Sequence, residues 1–231
     1  MARLAGQWTA GTVLTPLPAA SAIVLRDAPL EVLMLRRHGG ASFMPNAWVF
    51  PGGIAEPLDF ELAHGEHVNA MKIAAVRETF EEAGVWLGAA LDDADAKRKR
   101  LLARGITIRE LLAEAPVDLD TLVWTSRWIT PVGVPKRFDT YFFLVKVGRD
   151  VVATAEQNEA VDATWIAPAG ALAKHAAREM QMVFPTLRSL EAQTGFASVD
   201  ELLDSRRGAV IEPIEPVLVD GKPTLPGRSR A

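Results

Sequence analysis

The chain has 231 residues, of which 49% are hydrophobic and 23% charged, which is enough apolar material to build a sizeable core. Its net charge of −4 provides no basic surface for general nucleic-acid binding, and the absence of cysteine excludes disulfides, thiolate zinc sites and cysteine nucleophiles. Since no apolar run approaches about 18 residues and polar residues interrupt the N-terminal stretch, we expect no membrane span, no signal peptide and a cytoplasmic location.

The first predicted elements are an irregular arm and a β-hairpin. Residues 1–17 show little periodicity and are predicted to form the arm. Residues 19–26 and 30–36 are rich in apolar residues and flank a proline-containing turn, which predicts two strands near the centre of a sheet. Arg36 and Arg37 follow at the end of this hairpin. Their guanidinium groups can bind a diphosphate through paired N–H donors, or they can be solvent charges.

A short predicted strand leads into a glycine turn. Residues 47–50 form the strand, and Pro51, Gly52 and Gly53 follow it directly. Glycine adopts backbone conformations that are closed to other residues and allows a ligand to approach the main chain. We predict a loop for the acidic residues 56–67. Its two histidines lack both i, i+4 spacing and a third ligand, so we predict no zinc site there.

Residues 74–85 are predicted to form an amphipathic helix that ends at Gly84. Its acidic residues lie at i, i+3 and i+4 and therefore share one face: Glu78, Glu81 and Glu82. The opposite face is apolar and comprises Ile73, Val76, Phe80 and Ala83. Neighbouring carboxylates repel one another unless solvent, basic side chains or a divalent cation compensates them. The pattern therefore predicts either a solvated acidic face or a cation site.

A charge-rich helical insertion is predicted next, at about residues 90–117. It follows a short predicted strand at residues 85–89. Residues 92–104 place acids at the start and bases at the end of a helix, which matches the helix dipole. We interpret the basic run 97–100 as a solvated helix face, with an anion site as the alternative. Residues 107–115 form a second predicted helix that opens with a capping-box pattern.

The second half of the chain alternates between strands and helices. Strands are predicted at residues 122–129, 138–147 and 163–166, and helices at residues 167–180, 185–193 and 199–205. From residue 208 onward, spaced prolines predict an extended tail. These elements indicate an α/β fold, with residues 18–180 as the main domain and residues 181–231 as C-terminal helices and a tail packed on it.

The segment from Arg77 to Val85 resembles the second half of the Nudix box, G-x5-E-x7-R-E-U-x-E-E-x-G-U, in which U is a bulky apolar residue. Relative to that motif, about ten residues are inserted between Gly53 and Arg77, so the first half of the box is remodelled. The expected glutamate is Asn69 when counted from Arg77, or Asp59 when counted from Gly53. We assign a functional role to neither.

The expanded box resembles the Nudix branch that contains peroxisomal coenzyme A diphosphatases. Phrases that begin at Ser42, Trp48 and Pro135 share this likeness, which covers roughly residues 18–190. Thr79 stands where the box has a bulky apolar residue, a mild departure. The resemblance implies a Nudix-type α/β/α sandwich with a mixed β-sheet, a helical insertion and extra C-terminal helices.

The resemblance also implies catalytic and metal-binding residues. Glu81 and Glu82 are expected to be the main ligands of one to three Mg²⁺ or Mn²⁺ ions, with Glu78 as a further ligand or as the base. Arg77 is expected to hold a glutamate in place, and the alternative is a substrate contact. Glu159 is expected to complete the metal set or to act as the base.

Further residues are implied to border the substrate. A carbonyl group of Gly52 or Gly53 is expected to help bind the metal. Arg137 is the best candidate for a contact with a substrate phosphate, and the alternative is a structural ion pair. Glu156 is the second choice for the role given to Glu159.

The implied activity is metal-dependent hydrolysis of a nucleoside diphosphate linked to another moiety. Coenzyme A or acyl-coenzyme A is the first choice of substrate, and ADP-ribose or NADH is the rival. A non-catalytic nucleotide-sensing Nudix module is the alternative from another class. The expected partner is a small-molecule nucleotide, without nucleic acid or membrane. Since many relatives pair, the resemblance implies that a homodimer can form.

Overall fold

The computed structural model describes residues 14–40 and 44–225, and the predicted N-terminal arm, the phrase at Ser42 and the end of the tail lie wholly or largely outside these ranges. The described strands are β1 (Leu17–Arg26), β2 (Glu31–Arg37), β3 (Trp48–Val49), β4 (Gly52–Ile54), β5 (Val123–Ile129), β6 (Phe138–Lys146), β7 (Ala160–Ile166), β8 (Pro213–Ile214), β9 (Val217–Val219) and β10 (Lys222–Thr224). The described α-helices are α1 (Pro57–Leu62), α2 (His67–Ala83), α3 (Ala94–Leu102), α4 (Ile108–Glu114), α5 (Pro168–Ala176), α6 (Phe184–Glu191) and α7 (Val199–Asp204).

A mixed β-sheet with the strand order β3-β2-β1-β6-β5-β8 lies at the centre of the fold. β1 pairs antiparallel with β2, as predicted for the hairpin, and parallel with β6. β4 also pairs with β1, and β7 pairs with β2. The pairing of β4 places Gly53 opposite Ala20 and Gly52 opposite Ser21. The glycine turn is thereby held against the central strand.

Both faces of β1 are buried, because successive side chains of a strand project to opposite sides of the sheet. Ala20, Ala22 and Val24 join a core with residues of α2, α3 and α4. Ile23 and Leu25 join a second core with residues of α5, α6 and α7. Helices therefore cover the sheet on both sides, which confirms the predicted α/β/α sandwich.

The prediction of a loop at residues 56–67 is wrong. Residues 57–62 form α1, with Pro57 in its first turn, where the missing N–H of proline costs nothing. The Glu56 N–H donates to Asp59 Oδ2 at 2.8 Å, as in a capping box. The insertion into the Nudix-like box is therefore largely helical.

The prediction of a strand at residues 85–89 is also wrong. This segment leaves α2 after Gly84, which has a left-handed backbone with φ 69°. The Ala89 N–H donates to the Pro116 carbonyl at 3.0 Å, so the segment pairs with the end of the insertion rather than with the sheet. The two predicted helices of the insertion are confirmed as α3 and α4, and the predicted capping box opens α4.

The tail has more structure than its prolines predict. β8 pairs with β5 at the sheet edge, and β9 and β10 form a separate two-stranded sheet. Pro216, Leu218 and Pro223 from this region lie beside the cleft described below. Within the described ranges, no helix combines the length and the apolar character needed to cross a bilayer.

Candidate active site

The acidic residues of α2 lie against the glycine turn. The Gly52 N–H donates to Glu82 Oε2 at 2.9 Å. A Cβ atom added to Gly53 would lie 2.5 Å from Glu78 Oε1, closer than any side chain tolerates. Because neither turn residue carries a side chain, the two carboxylates can approach the main chain directly.

Arg77 links α2 to β4 and α1 through hydrogen bonds and ion pairs. Its Nη1 lies 2.8 Å from Glu78 Oε1 and 2.9 Å from Glu81 Oε2. Its Nη2 donates to the Ile54 carbonyl at 2.9 Å and lies 3.0 Å from Asp59 Oδ2. Only 5% of the Arg77 side chain is exposed, so it has no surface to offer a substrate. These contacts support the interpretation that Arg77 holds glutamates in place.

Asp59 is a buried partner of Arg77 to which we assigned no role from sequence. It is fully buried and accepts hydrogen bonds from Nε and Nη2 of Arg77. Counted from Gly53, it occupies the position of the glutamate of the motif. Counting from Gly53 could therefore have identified Asp59 from the sequence. Placing it beside Arg77, however, also requires knowing that residues 57–62 form a helix.

Burial raises the pKa values of the three glutamates of α2, Glu78, Glu81 and Glu82. Removal from water raises the pKa of Glu78 to about 7, and the Arg77 guanidinium only partly offsets the effect. Removal from water and the nearby Glu78 hold the pKa of Glu82 well above its usual range. Burial alone lowers the pKa of Arg77, but Glu78, Asp59 and Glu81 outweigh it and raise the pKa above its ordinary value. Full ionisation of Glu78 and Glu82 would therefore put more negative charge here than the surrounding residues stabilise.

Glu159 and Glu156 differ in what their side chains do. The Glu156 carboxylate accepts hydrogen bonds from the main-chain N–H groups of Asn158 and Glu159 and thereby closes its own turn. The Glu159 side chain is exposed, lines the cleft and lies close enough to raise the pKa of Glu82. The loop is held in place because the Glu156 N–H donates to the Glu82 carbonyl at 2.9 Å. The geometry thus favours Glu159 over Glu156 as the residue that completes the metal site or acts as the base.

A cleft of about 810 Å³ opens above the glycine turn and is lined by both turn glycines. The described residues contribute four carboxylates to its lining: Glu56, Glu78, Glu82 and Glu159. They contribute two cations, Arg37 and Lys136. The other walls are largely aromatic and aliphatic and include Trp128, Phe138, Phe142, Phe184 and Leu218. Glu56 and Lys136 had no assigned role in the sequence analysis.

Two predicted substrate contacts lie elsewhere. Arg36 is not part of the cleft lining and has its guanidinium 6.0 Å from the centre of the Trp48 ring, whereas Arg37 borders the cleft. Arg137 is buried and donates to the Thr130 and Leu14 carbonyls and to the Glu215 carboxylate. These contacts favour the alternative, a structural ion pair, over a contact between Arg137 and a substrate phosphate. Its donors connect Leu14 and the tail residue Glu215 to the loop before β6.

Glu81 points away from the cleft lining and toward Arg77. The backbone carbonyl of Glu81 accepts hydrogen bonds from both Nε and Nη2 of Arg98, at 3.0 and 2.8 Å. Arg98 is buried, so one member of the basic run 97–100 caps the end of α2 instead of facing solvent. A Cβ atom on Gly84 would lie 2.9 Å from this guanidinium, which explains the glycine there.

A family model described as the NUDT19 Nudix domain matches residues 64–192, more than half of the chain and all of α2. The chain belongs to the Nudix hydrolase family. A second model, described as the NUDIX domain, matches residues 15–101 and so includes the glycine turn. The predicted resemblance to the Nudix superfamily and to this branch is confirmed.

Named relatives agree with this membership of the Nudix family. Putative nudix hydrolase 7 of Caenorhabditis elegans is 34% identical over 156 residues, which cover 65% of this chain and 51% of that protein. Acyl-coenzyme A diphosphatase NUDT19 of Xenopus laevis is 26% identical over 239 residues, which cover 74% of this chain and 62% of that protein. The chain thus spans only about half to three-fifths of the length of these relatives.

A solved structure shares the Nudix fold across most of the chain. The crystal structure of a NUDIX hydrolase from Alicyclobacillus acidocaldarius superposes with a TM-score of 0.75 at 27% identity. The match covers 82% of this chain and 96% of that one. The superposition extends well beyond α2 and therefore includes the greater part of the α/β/α sandwich.

The residues of the Nudix box fit a hard divalent cation. Such ions take oxygen ligands, and Glu78, Glu82 and Glu159 present carboxylates beside the main chain of the glycine turn. The raised pKa values of Glu78 and Glu82 show a deficit of positive charge at this place. Among the described side chains, no three acidic or histidine groups already stand at metal-binding spacing. A side-chain adjustment, for which the exposed Glu159 is best placed, is therefore needed to complete a cation site.

We expect the cation-free Nudix domain to lose stability as the pH rises from about 4.5 to about 7. The pKa of Glu78 is 4.5 when unperturbed and about 7 in the fold, so the folded state binds protons that the unfolded state releases in this range. Glu82, whose pKa is also raised, acts with the same sign. The loss is about 2–3 kcal/mol, and urea denaturation in EDTA at about pH 5 and pH 8 measures it.

Magnesium is expected to reverse this loss, with a larger gain in stability at about pH 8 than at about pH 5, because carboxylates bind metal in their ionised form. Glu78→Gln provides the control, since it removes one raised pKa and flattens the pH dependence. A cation-free protein that is equally stable at both pH values contradicts the assignment of a charge deficit to this cluster.

We expect alanine at the two turn positions of the Nudix domain to have different effects. In Gly53→Ala the new methyl group displaces the Glu78 carboxylate, a side-chain end, so the fold survives while hydrolysis falls by about 100-fold. In Gly52→Ala the methyl group meets the Ala20 carbonyl at 2.4 Å, which costs about 1–3 kcal/mol of stability. Circular dichroism melts and a hydrolysis assay separate the two effects. Gly105→Ala, where the nearest atom is 3.5 Å away, is the matched control, and equal behaviour of all three variants contradicts the prediction.

Proposed function

We propose that this chain hydrolyses the diphosphate linkage of a nucleoside diphosphate derivative in the presence of Mg²⁺ or Mn²⁺. The observation that carries the proposal is the pair of buried carboxylates, Glu78 and Glu82, at the glycine turn in a cleft of about 810 Å³. Buried carboxylates with raised pKa values are typical of catalytic and metal sites. The relatives named acyl-coenzyme A diphosphatase give further support.

We assign the roles in this reaction from the contacts of each residue. Glu78, Glu82 and Glu159, with Glu81 beside them and a carbonyl of Gly53, hold one to three divalent ions. When bound, such ions neutralise the diphosphate oxygens and lower the pKa of a water molecule. Arg77 keeps two of the carboxylates in place through its hydrogen bonds.

The cleft cations and walls are suited to the two ends of such a substrate. Arg37, which lies close enough to lower the pKa of Glu82, and the exposed Lys136 can hold phosphate oxygens. Aromatic walls that include Trp128, Phe138 and Phe184 favour an apolar or amide-bearing arm over a second compact charged group. We therefore propose coenzyme A or an acyl-coenzyme A as the substrate.

The test is an assay of products by mass spectrometry. The protein is incubated with coenzyme A, an acyl-coenzyme A, ADP-ribose or NADH, with Mg²⁺ or with EDTA. The proposal predicts 3′,5′-ADP and a 4′-phosphopantetheine product only from the coenzyme A compounds and only with the cation. If ADP-ribose or NADH is cleaved and the coenzyme A compounds are not, the cleaved compound is the substrate instead of coenzyme A. Saturable nucleotide binding without any cleavage indicates the non-catalytic module.

A further inference from the structure

A second cavity, of about 250 Å³, lies on the face of the sheet that α6 and α7 cover. Its apolar lining comprises Ile23, Leu144, Leu202, Ile214 and Leu225. Trp128 borders both this cavity and the active-site cleft. We call it the Gln193 cavity, after the most buried polar side chain in its lining.

The Gln193 cavity collects polar atoms that have no partner. Seven buried side-chain nitrogen or oxygen atoms of the described residues make no hydrogen bond, and five of them belong to residues that line this cavity. These five atoms are Ser126 Oγ, Trp128 Nε1, Ser189 Oγ and both Oε1 and Nε2 of Gln193. Gln193 is only 3% exposed and Trp128 only 6%. Buried polar atoms without partners destabilise a fold, so their concentration in one place marks a position where a bound group, either water or a ligand, would supply the missing hydrogen bonds.

Two features of the fold bring these polar atoms together. In β5 the pairing with β6 shifts register between Trp124 and Ser126, and such a bulge reverses the side to which the following residues point. Ser126 and Trp128, two residues apart, share one face of the sheet, and the bulge makes it the face opposite to that of Trp124. On the opposite wall, Ser189 and Gln193 are four residues apart and follow one side of α6 and its C-terminal turn.

The chemistry of the cavity selects an uncharged ligand. Trp128 Nε1 can only donate, whereas the Gln193 amide and the two serine hydroxyls can both donate and accept. Each of the two cations in the lining already has one partner, the Glu191 carboxylate for Arg188 and the Ala192 carbonyl for Arg206. The described lining contains no carboxylate. Its volume corresponds to about eight water molecules, which is room for one amide group with its flanking carbons.

We propose that the Gln193 cavity binds a small uncharged amide- or hydroxyl-bearing group. The ligand places its carbonyl and N–H against Gln193, Ser126 and Ser189, and its alkyl part against the aliphatic lining. The group can belong to the amide-bearing arm of a nucleotide that occupies the neighbouring cleft, or to a separate small molecule. This site goes beyond the proposed hydrolysis, and its occupancy is measurable without turnover.

The side chain of Gln193 can be observed directly. The sequence contains four glutamines, so selective ¹⁵N labelling of glutamine yields four pairs of side-chain amide signals in an NMR spectrum. Titration with N-ethylacetamide is expected to shift the Gln193 pair saturably, with a Kd of about 10 mM or below, while the other three pairs stay in place. 2-Pentanone has the same size but lacks the N–H, and we expect it to bind at least about threefold more weakly. The absence of a saturable shift overturns the proposal and leaves a hydrated cavity.

Gln193→Leu keeps the volume and removes both amide atoms, so we expect it to abolish N-ethylacetamide binding in calorimetry without loss of thermal stability. Gln181→Leu, at an exposed position, is the matched control and should bind normally. If Gln193→Leu does not fold, Ser189→Ala should weaken binding several-fold. Unchanged binding in the folded cavity variants overturns the proposal.

Two further titrations distinguish the sources of the ligand. Coenzyme A carries amide groups, whereas 3′,5′-ADP does not. A Gln193 shift with coenzyme A but not with 3′,5′-ADP assigns the cavity to the arm of a nucleotide. A shift with N-ethylacetamide alone assigns it to a separate small molecule. Both results leave the cavity as a binding site and are independent of whether the protein hydrolyses coenzyme A.

Discussion

Glu82→Gln is expected to reduce hydrolysis by about 100-fold or more while the protein stays folded. Glutamine preserves the shape of the side chain, and its carbonyl oxygen can still accept the hydrogen bond from the Gly52 N–H. It removes the negative charge, however, and a lost metal ligand costs several kcal/mol in the transition state, where each 1.4 kcal/mol is about tenfold in rate. Product formation at saturating Mg²⁺ measures the effect.

The stability of Glu82→Gln provides an independent check on this prediction. Burial raises the pKa of Glu82, so the ionised carboxylate is unfavourable in the cation-free fold. The variant should therefore be at least as stable as the natural protein in EDTA at about pH 8. Glu179→Gln, at an exposed position outside the cleft, is the matched control and should retain full activity. Activity of Glu82→Gln above about a tenth of the natural level contradicts its role as a metal ligand.

Arg77→Met is expected to lower the free energy of unfolding by about 3–5 kcal/mol, because it leaves buried carboxylates without their counter-charge. Arg77 has a side-chain exposure of 5% and Asp59 of 0%, so water cannot replace the lost hydrogen bonds. Urea denaturation monitored by circular dichroism measures the change. Divalent cations should recover part of the loss, because they supply positive charge to the same cluster.

A double-mutant cycle separates the loss of the ion pair from the loss of packing. Arg77→Met combined with Asp59→Asn should cost less than the sum of the two single changes, because the second change removes one of the stranded charges. Arg104→Met is the control. Its ion pair with Glu56 is long, at 3.7 Å, and the arginine side chain is 83% exposed, so we expect an effect below about 0.5 kcal/mol. If Arg77→Met lowers the free energy of unfolding by less than about 1 kcal/mol, the interpretation that Arg77 holds the buried carboxylates in place is contradicted.

The predicted helices, and the predicted strands other than residues 85–89, are confirmed because local patterns specify them. β1 is a nearly continuous apolar run and α2 ends at a glycine, and both signals depend on neighbours in sequence. Of the two wrong elements, α1 carries a local start signal, Pro57 and the Glu56–Asp59 capping box, that the prediction of a loop overlooked. Residues 85–89 are apolar enough for a strand, but their partner is the loop at Pro116 and not the sheet.

The side-chain roles in the site also divide into those that local sequence patterns predict and those that depend on distant residues. Helical spacing places Glu78, Glu81 and Glu82 on one side of α2, yet their surroundings differ. Glu78 and Glu82 line the cleft, whereas Glu81 turns to Arg77. Arg137 has the composition of a phosphate ligand, but three distant segments consume its donors. Sequence reasoning could not reach these distinctions, because each depends on residues that are far apart in the chain.

The sequence by itself determined the sandwich class, the position of the acidic helix and the glycine turn, since these follow from periodicity, backbone freedom and a short motif. Only the tertiary structure decided that Asp59 closes around Arg77, that Arg98 caps α2 and that the tail borders the cleft. The physical reason is that burial and charge compensation are properties of assembled surfaces. A carboxylate acquires its pKa, and an arginine its role, only when the chain brings their partners together.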